Sequence, residues 1–248
     1  MARRLNNVKR QQIQLRKLER EYRGKLAAEI ARAMRLMLDA YARTGSIPNL
    51  PEETIPRLIE LWREMARSSI TAFGNDMLDQ GKAFGRDLET KSFFDFFMRL
   101  ADEWIFGEMI RRRITSVAET TRANIVSQVR IGQAEGLGVA QISQRIAKAV
   151  PSISAQRGAL IARTETHGAA NFGANQVAKT IGFTLQKEWI AAEDARTRPF
   201  HAEANEQIVA MDQPFIVGGE ALMYPGDEAG SPWNTIACRC TVAYMVLD

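Results

Sequence analysis

The sequence predicts an α+β protein: a mainly helical N-terminal half with a long basic amphipathic helix, then a compact α+β C-terminal domain with a small antiparallel sheet. Three observations carry this expectation. Apolar residues recur at steps of three and four through the first half. From Phe183 the period changes to two, and a Gly218-Gly219 pair then sits between two short apolar runs. A stripe repeating near 3.6 residues marks one face of a helix, alternation marks a half-buried strand, and a Gly pair suits a tight hairpin.

The first stripe runs Leu15, Leu18, Tyr22, Leu26, Ile30, Met34, Met37 or Leu38, and Tyr41, with Lys and Arg on the other faces. It predicts a helix from about residue 5 to 43, ended by Thr44-Gly45-Ser46 and Pro48. At 1.5 Å per residue its length is ~57–60 Å. Residues 52–135 also read as helical. Leu58, Ile59, Leu61, Trp62 and Met65 open near Pro56, and Gly74, Gly81 and Gly85 are expected to loosen the pattern that follows. The aromatic run Phe93, Phe94, Phe96, Phe97 and Trp104 reads as core, with a contact surface as the alternative. Ile114, Val117, Thr121, Ile125 and Val129 continue a helix to Gly136-Leu137-Gly138. Beyond it, Val139 to Val150 predicts a short helix closed by Pro151, and Ser154–Ile181 a second one, rich in Ala and Gly as close helix packing requires. Strands are expected at 183–190, on both sides of the Gly pair within 214–225, and at 240–246. These elements divide into an arm and interaction region at 1–110 and a C-terminal domain at 111–248.

The chain has 248 residues, 46% of them hydrophobic and 25% charged, the balance of a folded protein. No apolar run approaches the ~18–20 residues of a membrane span, so no membrane partner is expected. No apolar core follows the basic first residues, so a secretory signal is not expected either. Two cysteines, Cys238 and Cys240, are too few for a disulfide framework and are expected to be free or metal-bound. The net charge of +4 conceals a gradient. Residues 1–43 hold twelve Lys/Arg against four Asp/Glu, a balance of +8, which leaves −4 on the other 205 residues. The basic faces of the first helix therefore either solvate a helix docked on its own body or lie on a partner or on DNA phosphates. Arg3, Arg4, Lys9, Arg10, Arg16, Lys17, Arg20, Arg23 and Lys25 are the candidate contacts.

Both histidines and both cysteines fall in the last third of the chain. Thiolate and imidazole are zinc's preferred ligands, which makes His201, Cys238 and Cys240 candidate ligands, with Asp194 or His167 as the fourth. A Cys-x-Cys pair chelates one ion only where the backbone turns. The alternative is a pair of reduced buried cysteines beside hydrogen-bonding histidines. Asp194, Arg196, Arg198 and His201 in one segment suit a metal-assisted or acid–base hydrolase, or else a salt-bridge network that fixes the loop. No phosphate-binding glycine loop, nucleophile elbow or His-Glu-x-x-His element occurs. Arg163, His167 and Asn171, four apart, share one helix face, and Glu165 lies on another.

Six short motifs occur in order: Ala162-Arg163-Thr164-Glu165, Ala170-Asn171-Phe172-Gly173, Trp189, Asp194-x-Arg196-x-Arg198-x-x-His201, Tyr224-Pro225-Gly226-Asp227 and Cys238-Arg239-Cys240. Together, over roughly residues 110–246, they resemble the phage head morphogenesis family, the phage Mu protein F-like minor head proteins. Two departures stand out. Ala237 occupies the place where that family usually has Asn, and Ala202-Glu203-Ala204-Asn205 replaces a Gly-rich stretch.

The resemblance implies a non-enzymatic minor capsid protein inside the head, assembled in the host cytoplasm and bound to the portal or the major capsid protein. It would act in head assembly and in packaging, retention or ejection of double-stranded DNA. The family's domain is sometimes fused to toxins, and with eight residues after Cys240 no such fusion is expected here. Beside this reading stand a metal-dependent hydrolase or nuclease using Asp194, His201, Cys238 and Cys240, and a DNA-binding accessory protein acting through its basic helix.

Overall fold

The structure, a computed structural model, describes residues 3–86, 88 and 90–247, apart from the side chains of residues 3 and 90–92. Its elements are β1 (Arg3–Arg4), α1 (Val8–Thr44), α2 (Thr54–Ala83), α3 (Thr90–Phe106), α4 (Glu108–Ala134), α5 (Val139–Thr180), β2 (Leu185–Ile190), α6 (Pro199–Glu203), β3 (Ile208–Ala210), β4 (Phe215–Val217), β5 (Glu220–Leu222), α7 (Pro232–Thr235) and β6 (Thr241–Val246). The α+β class is as expected, with helices first and a small antiparallel sheet after them.

Helix α1 starts at Asn7, whose side chain accepts the Arg10 amide, and ends at Gly45 in the left-handed region, whose N–H donates to the Tyr41 carbonyl. These are the two ends that N-capping and glycine C-capping favour. Every residue of its apolar stripe is buried. The stripe faces α5, the central helix, which runs antiparallel to it. A Cβ on Gly158 would lie 2.7 Å from the Ala27 amide nitrogen, so glycine is what lets the two backbones meet. Helix α2 runs parallel to α5, with Glu165 by Trp62 and Gly173 by Ile70, and α4 antiparallel, with Arg157 on Val117 and Glu165 facing Arg113.

Two helix readings need correction. Pro151 does not end a helix, because α5 runs through it for 42 residues. The buried series Ile142, Ile146, Val150, Ser154 and Gly158 keeps one face of α5 in the core across the proline. Pro151 and Ala147, whose carbonyl loses its amide partner, are both exposed, so the lost bond falls on the solvent side of the helix. Gly74 and Gly81 do not loosen α2 either. A Cβ on Gly74 would overlap the Phe97 ring, so this glycine admits α3. The aromatic run divides: Phe97 and Trp104 are buried, Phe93 and Phe96 half-buried, and Phe94 exposed.

The sheet order is β1-β6-β2-β3, all antiparallel, and β4 and β5 pair as a hairpin turning at Gly218 and Gly219, both with positive φ. The strands β2, β4, β5 and β6 answer expectation, and β3 was not anticipated. Arg3 and Arg4, ahead of the expected helix, form an edge strand on Val246 and Met245, and α1 begins at Val8, three residues later than expected. The following residues are sewn to the same strand, since Leu5 N–H donates to the Tyr244 carbonyl and the Asn6 amide bridges Val242 and Tyr244. One hydrophobic cluster runs from Leu5 to Val246, and the division expected at 110/111 falls in the first turn of α4, inside it.

Candidate functional site

Two features lie side by side at the end of the sheet: a buried polar knot, and an open cleft lined with arginine.

The knot gathers α6, α7 and the turn before β6. Proline at the first position of each short helix presets its backbone. Residues 236 and 237 form a turn, closed by the Cys238 amide on the Thr235 carbonyl, with Ala237 in the left-handed region at φ 56°, so the backbone bends just before Cys238. His201, Cys238 and Cys240 are all buried, and their ligand atoms lie within 4.8 Å of one another. His201 Nδ1 is 3.3 Å from Cys240 Sγ and 3.7 Å from Cys238 Sγ. On the other side of the ring, Nε2 meets Asn234 Oδ1 at 3.1 Å. Asn234 Nδ2 donates to the Val217 carbonyl, which fixes its oxygen toward His201. The imidazole therefore carries its proton on Nε2 and turns the Nδ1 lone pair to both sulfurs. Trp189, fully buried, packs edge-on against the ring at 5.7 Å and holds its plane. The hydrogen bond from Cys238, with His201 beside it, lowers the pKa of Cys240, while that bond and burial raise the pKa of Cys238.

Around this centre the remaining motif residues act as ties. Asn171, on α5, donates to the carbonyls of Pro225 and Cys240 and accepts from the Thr241 hydroxyl. Asp227 accepts the amides of Met223 and Ala229 and closes the loop that brings Gly226 against Gly168. Arg198 donates to the Ile236 carbonyl at 2.5 Å. Glu165 is buried facing Arg113 at 3.8 Å, and burial raises its pKa.

Asp194 and His167 do not join the cluster. Both Asp194 oxygens are engaged by Arg239, one also accepts the Arg196 amide, and these bonds hold its pKa well below the usual carboxylate range. His167 lines the neighbouring cleft, with Nδ1 unpartnered among the described residues. Burial, with Arg163 and Arg239 nearby, pushes its pKa down to about 3. It is neutral at pH 7.

The cleft, of about 630 Å³, lies between α1 and residues 192–196. Arg16, Arg20, Arg23, Arg163, Arg196 and Arg239 line it. Glu19 holds Arg163 at 2.6 Å and Asp194 holds Arg239. No carboxylate pairs with Arg16, Arg20 or Arg23 among the described residues. The other basic candidates lie elsewhere: Arg4 pairs with Glu188, Arg10 with Asp76 and Asp79, and Lys25 with Glu21 and Glu64. Lys9 and Lys17 are exposed, and the Arg3 side chain lies outside the described residues. Sequence reading places Asn234 and Arg239 in the polar segment that ends at Cys240 but gives neither a role, and it gives none to the buried Lys187, whose ammonium donates to the Met223 carbonyl. Asn234 is four residues before Cys238, a place that only the α7 turn makes meaningful.

The fold and site thus define a helical α+β protein with an arginine-lined cleft beside a cysteine–histidine knot. Residues 111–243 match the family described as Phage Mu protein F like protein, more than half of the chain, and the chain belongs to that family of phage minor head proteins. It is 32% identical over 143 residues to Minor head protein GP7 of Bacillus phage SPP1, covering 54% of this chain and 45% of that protein. It is also 26% identical over 155 residues to the NAD(+)--arginine ADP-ribosyltransferase EFV of Enterococcus faecalis, covering 61% of this chain and 31% of that protein. The chain thus spans less than half the length of either relative. No solved structure matches it significantly. No helix among the described residues is long and apolar enough to cross a membrane.

Proposed function

We propose that this chain works by binding, as a minor head protein held inside the phage head at the portal or the major capsid protein. It joins the head during assembly in the host cytoplasm and contacts packaged double-stranded DNA through the arginine cleft, aiding packaging, retention or ejection. Membership of the minor head family, by the match over residues 111–243, carries the reading. The cleft adds a place for DNA: Arg16, Arg20 and Arg23 rise from one face of α1 without acidic partners, as a phosphate-contacting surface requires.

The competing reading, a metal-dependent hydrolase or nuclease, uses Asp194, His201, Cys238 and Cys240 together. Asp194 lines the arginine cleft but is bound by Arg239, while the other three are buried and do not line it. The transferase activity in one relative's name belongs to that protein, of which this chain spans 31%.

The reading is tested in heads assembled with and without this chain. It expects the protein in purified heads, cross-linked to portal or major capsid protein, and more DNA lost from heads that lack it. Heads that exclude the protein would overturn it.

A further inference from the structure

We propose that His201, Cys238 and Cys240 form a binding site for one thiophilic divalent cation, zinc above all, that pins α6 to the turn before β6. Zinc bonds sulfur at ~2.3 Å and imidazole nitrogen at ~2.0–2.1 Å, so tetrahedral angles place two such ligand atoms about 3.5 Å apart. The two sulfur–nitrogen separations, 3.3 and 3.7 Å, lie on either side of that value.

The orientation agrees with the distances. A metal-binding histidine needs a free lone pair on one nitrogen and an anchoring acceptor on the other. Asn234 supplies that acceptor and is itself fixed by Val217, while Trp189 holds the ring plane. A hydrogen-bonded chain from Cys238 through Cys240 to Nδ1 satisfies both S–H groups and keeps the three donor atoms within 4.8 Å of one another. A cation uses all three donors at once. Among the described residues no fourth His, Cys, Asp or Glu joins them. The fourth position therefore falls to water. Binding replaces two S–H bonds with two metal–thiolate bonds and releases both protons to solvent.

One rival uses some of the same atoms: a nucleophilic Cys240 activated by His201 and oriented by Asn234. That arrangement needs an accessible sulfur and has no use for Cys238, whereas both thiols are buried.

The test is metal analysis of the full-length protein purified without added chelator. The expected result is about one zinc per chain, exchangeable for cobalt with a thiolate-to-cobalt charge-transfer band, and thiols that resist iodoacetamide until the metal is removed. Asn234→Ala keeps all three donors, so it should fold and bind zinc 10–100-fold more weakly in competition with a chelating dye. Cys238→Ser should lose the cobalt band. Protein that holds less than about a tenth of a zinc per chain, takes up no cobalt and alkylates at the same rate with and without zinc overturns the proposal. Rapid alkylation of Cys240 alone, with Cys238→Ser unaffected, would favour the nucleophile. The result bears only on the knot, since the minor head reading stands on the family match.

Discussion

The α1–α5 seam and the knot at residues 194–241 are both buried, yet different forces hold them. The seam is apolar and periodic: Leu15, Tyr22, Leu26 and Met34 line α1, and Gly158 lets the backbones touch. Its specificity is shape, written at intervals of three and four residues. The knot is irregular: Asn171, Asn234, His201 and Asp227 tie loops together through directed hydrogen bonds. Its specificity lies in which donor meets which acceptor. Substitutions that alter volume should therefore dominate in the seam, and substitutions that orphan a polar group or relieve backbone strain should be felt most in the knot.

The largest effect is expected where the knot depends on volume after all. Trp189→Ala empties the space between His201 and Phe215 and should cost about 3–5 kcal/mol in denaturant unfolding. Gly158→Val should follow at about 3 kcal/mol, because its new atoms meet α1 backbone and not a movable side chain. An equal loss from valine at Gly24, where a Cβ has open space, would show that helix propensity and not close approach governs the seam.

Lys187 gives an intermediate effect with a definite sign. Burial lowers its pKa from 10.5 to about 8. Below pH 8 folded and unfolded chains both hold the proton, so this residue adds no slope. Between pH 8 and 10.5 the unfolded chain still holds a proton that the folded chain has lost, and stability rises with pH. Lys187→Met should remove that rise, about 2 kcal/mol, in paired melts across this range. The smallest effect is a gain. Ala237 holds a left-handed backbone that glycine adopts freely, so Ala237→Gly should stabilise by about 0.5–1 kcal/mol in the same unfolding assay.

That last position shows how far the sequence could be read. The departure from Asn at 237 was visible in the chain, but the positive φ that gives it meaning appears only in the fold. Helix α1 was legible almost to its ends, because a stripe on one partner face leaves its period in the sequence. Pro151 and Gly74 misled for a common reason: local punctuation was overridden by tertiary packing, the buried face from Ile142 to Gly158 across one and Phe97 against the other. Strand β1 was hidden because two arginines on a sheet edge carry no alternation. In the knot the residue types were readable and the pairings were not. Nothing in the spacing assigns Asn234 to His201, or Asp194 to Arg239 and away from the cysteines.

The central functional claim is that Arg16, Arg20 and Arg23 face a polyanion. Its most direct test is the salt dependence of duplex DNA binding by the full chain and by a variant with all three arginines changed to alanine. Each phosphate contact contributes a slope of about −0.9 in log affinity against log salt. The account predicts salt-sensitive binding by the parent and a slope shallower by about three in the variant, with the fold intact. Identical slopes for the two proteins, or no salt-sensitive binding by the parent, would contradict it.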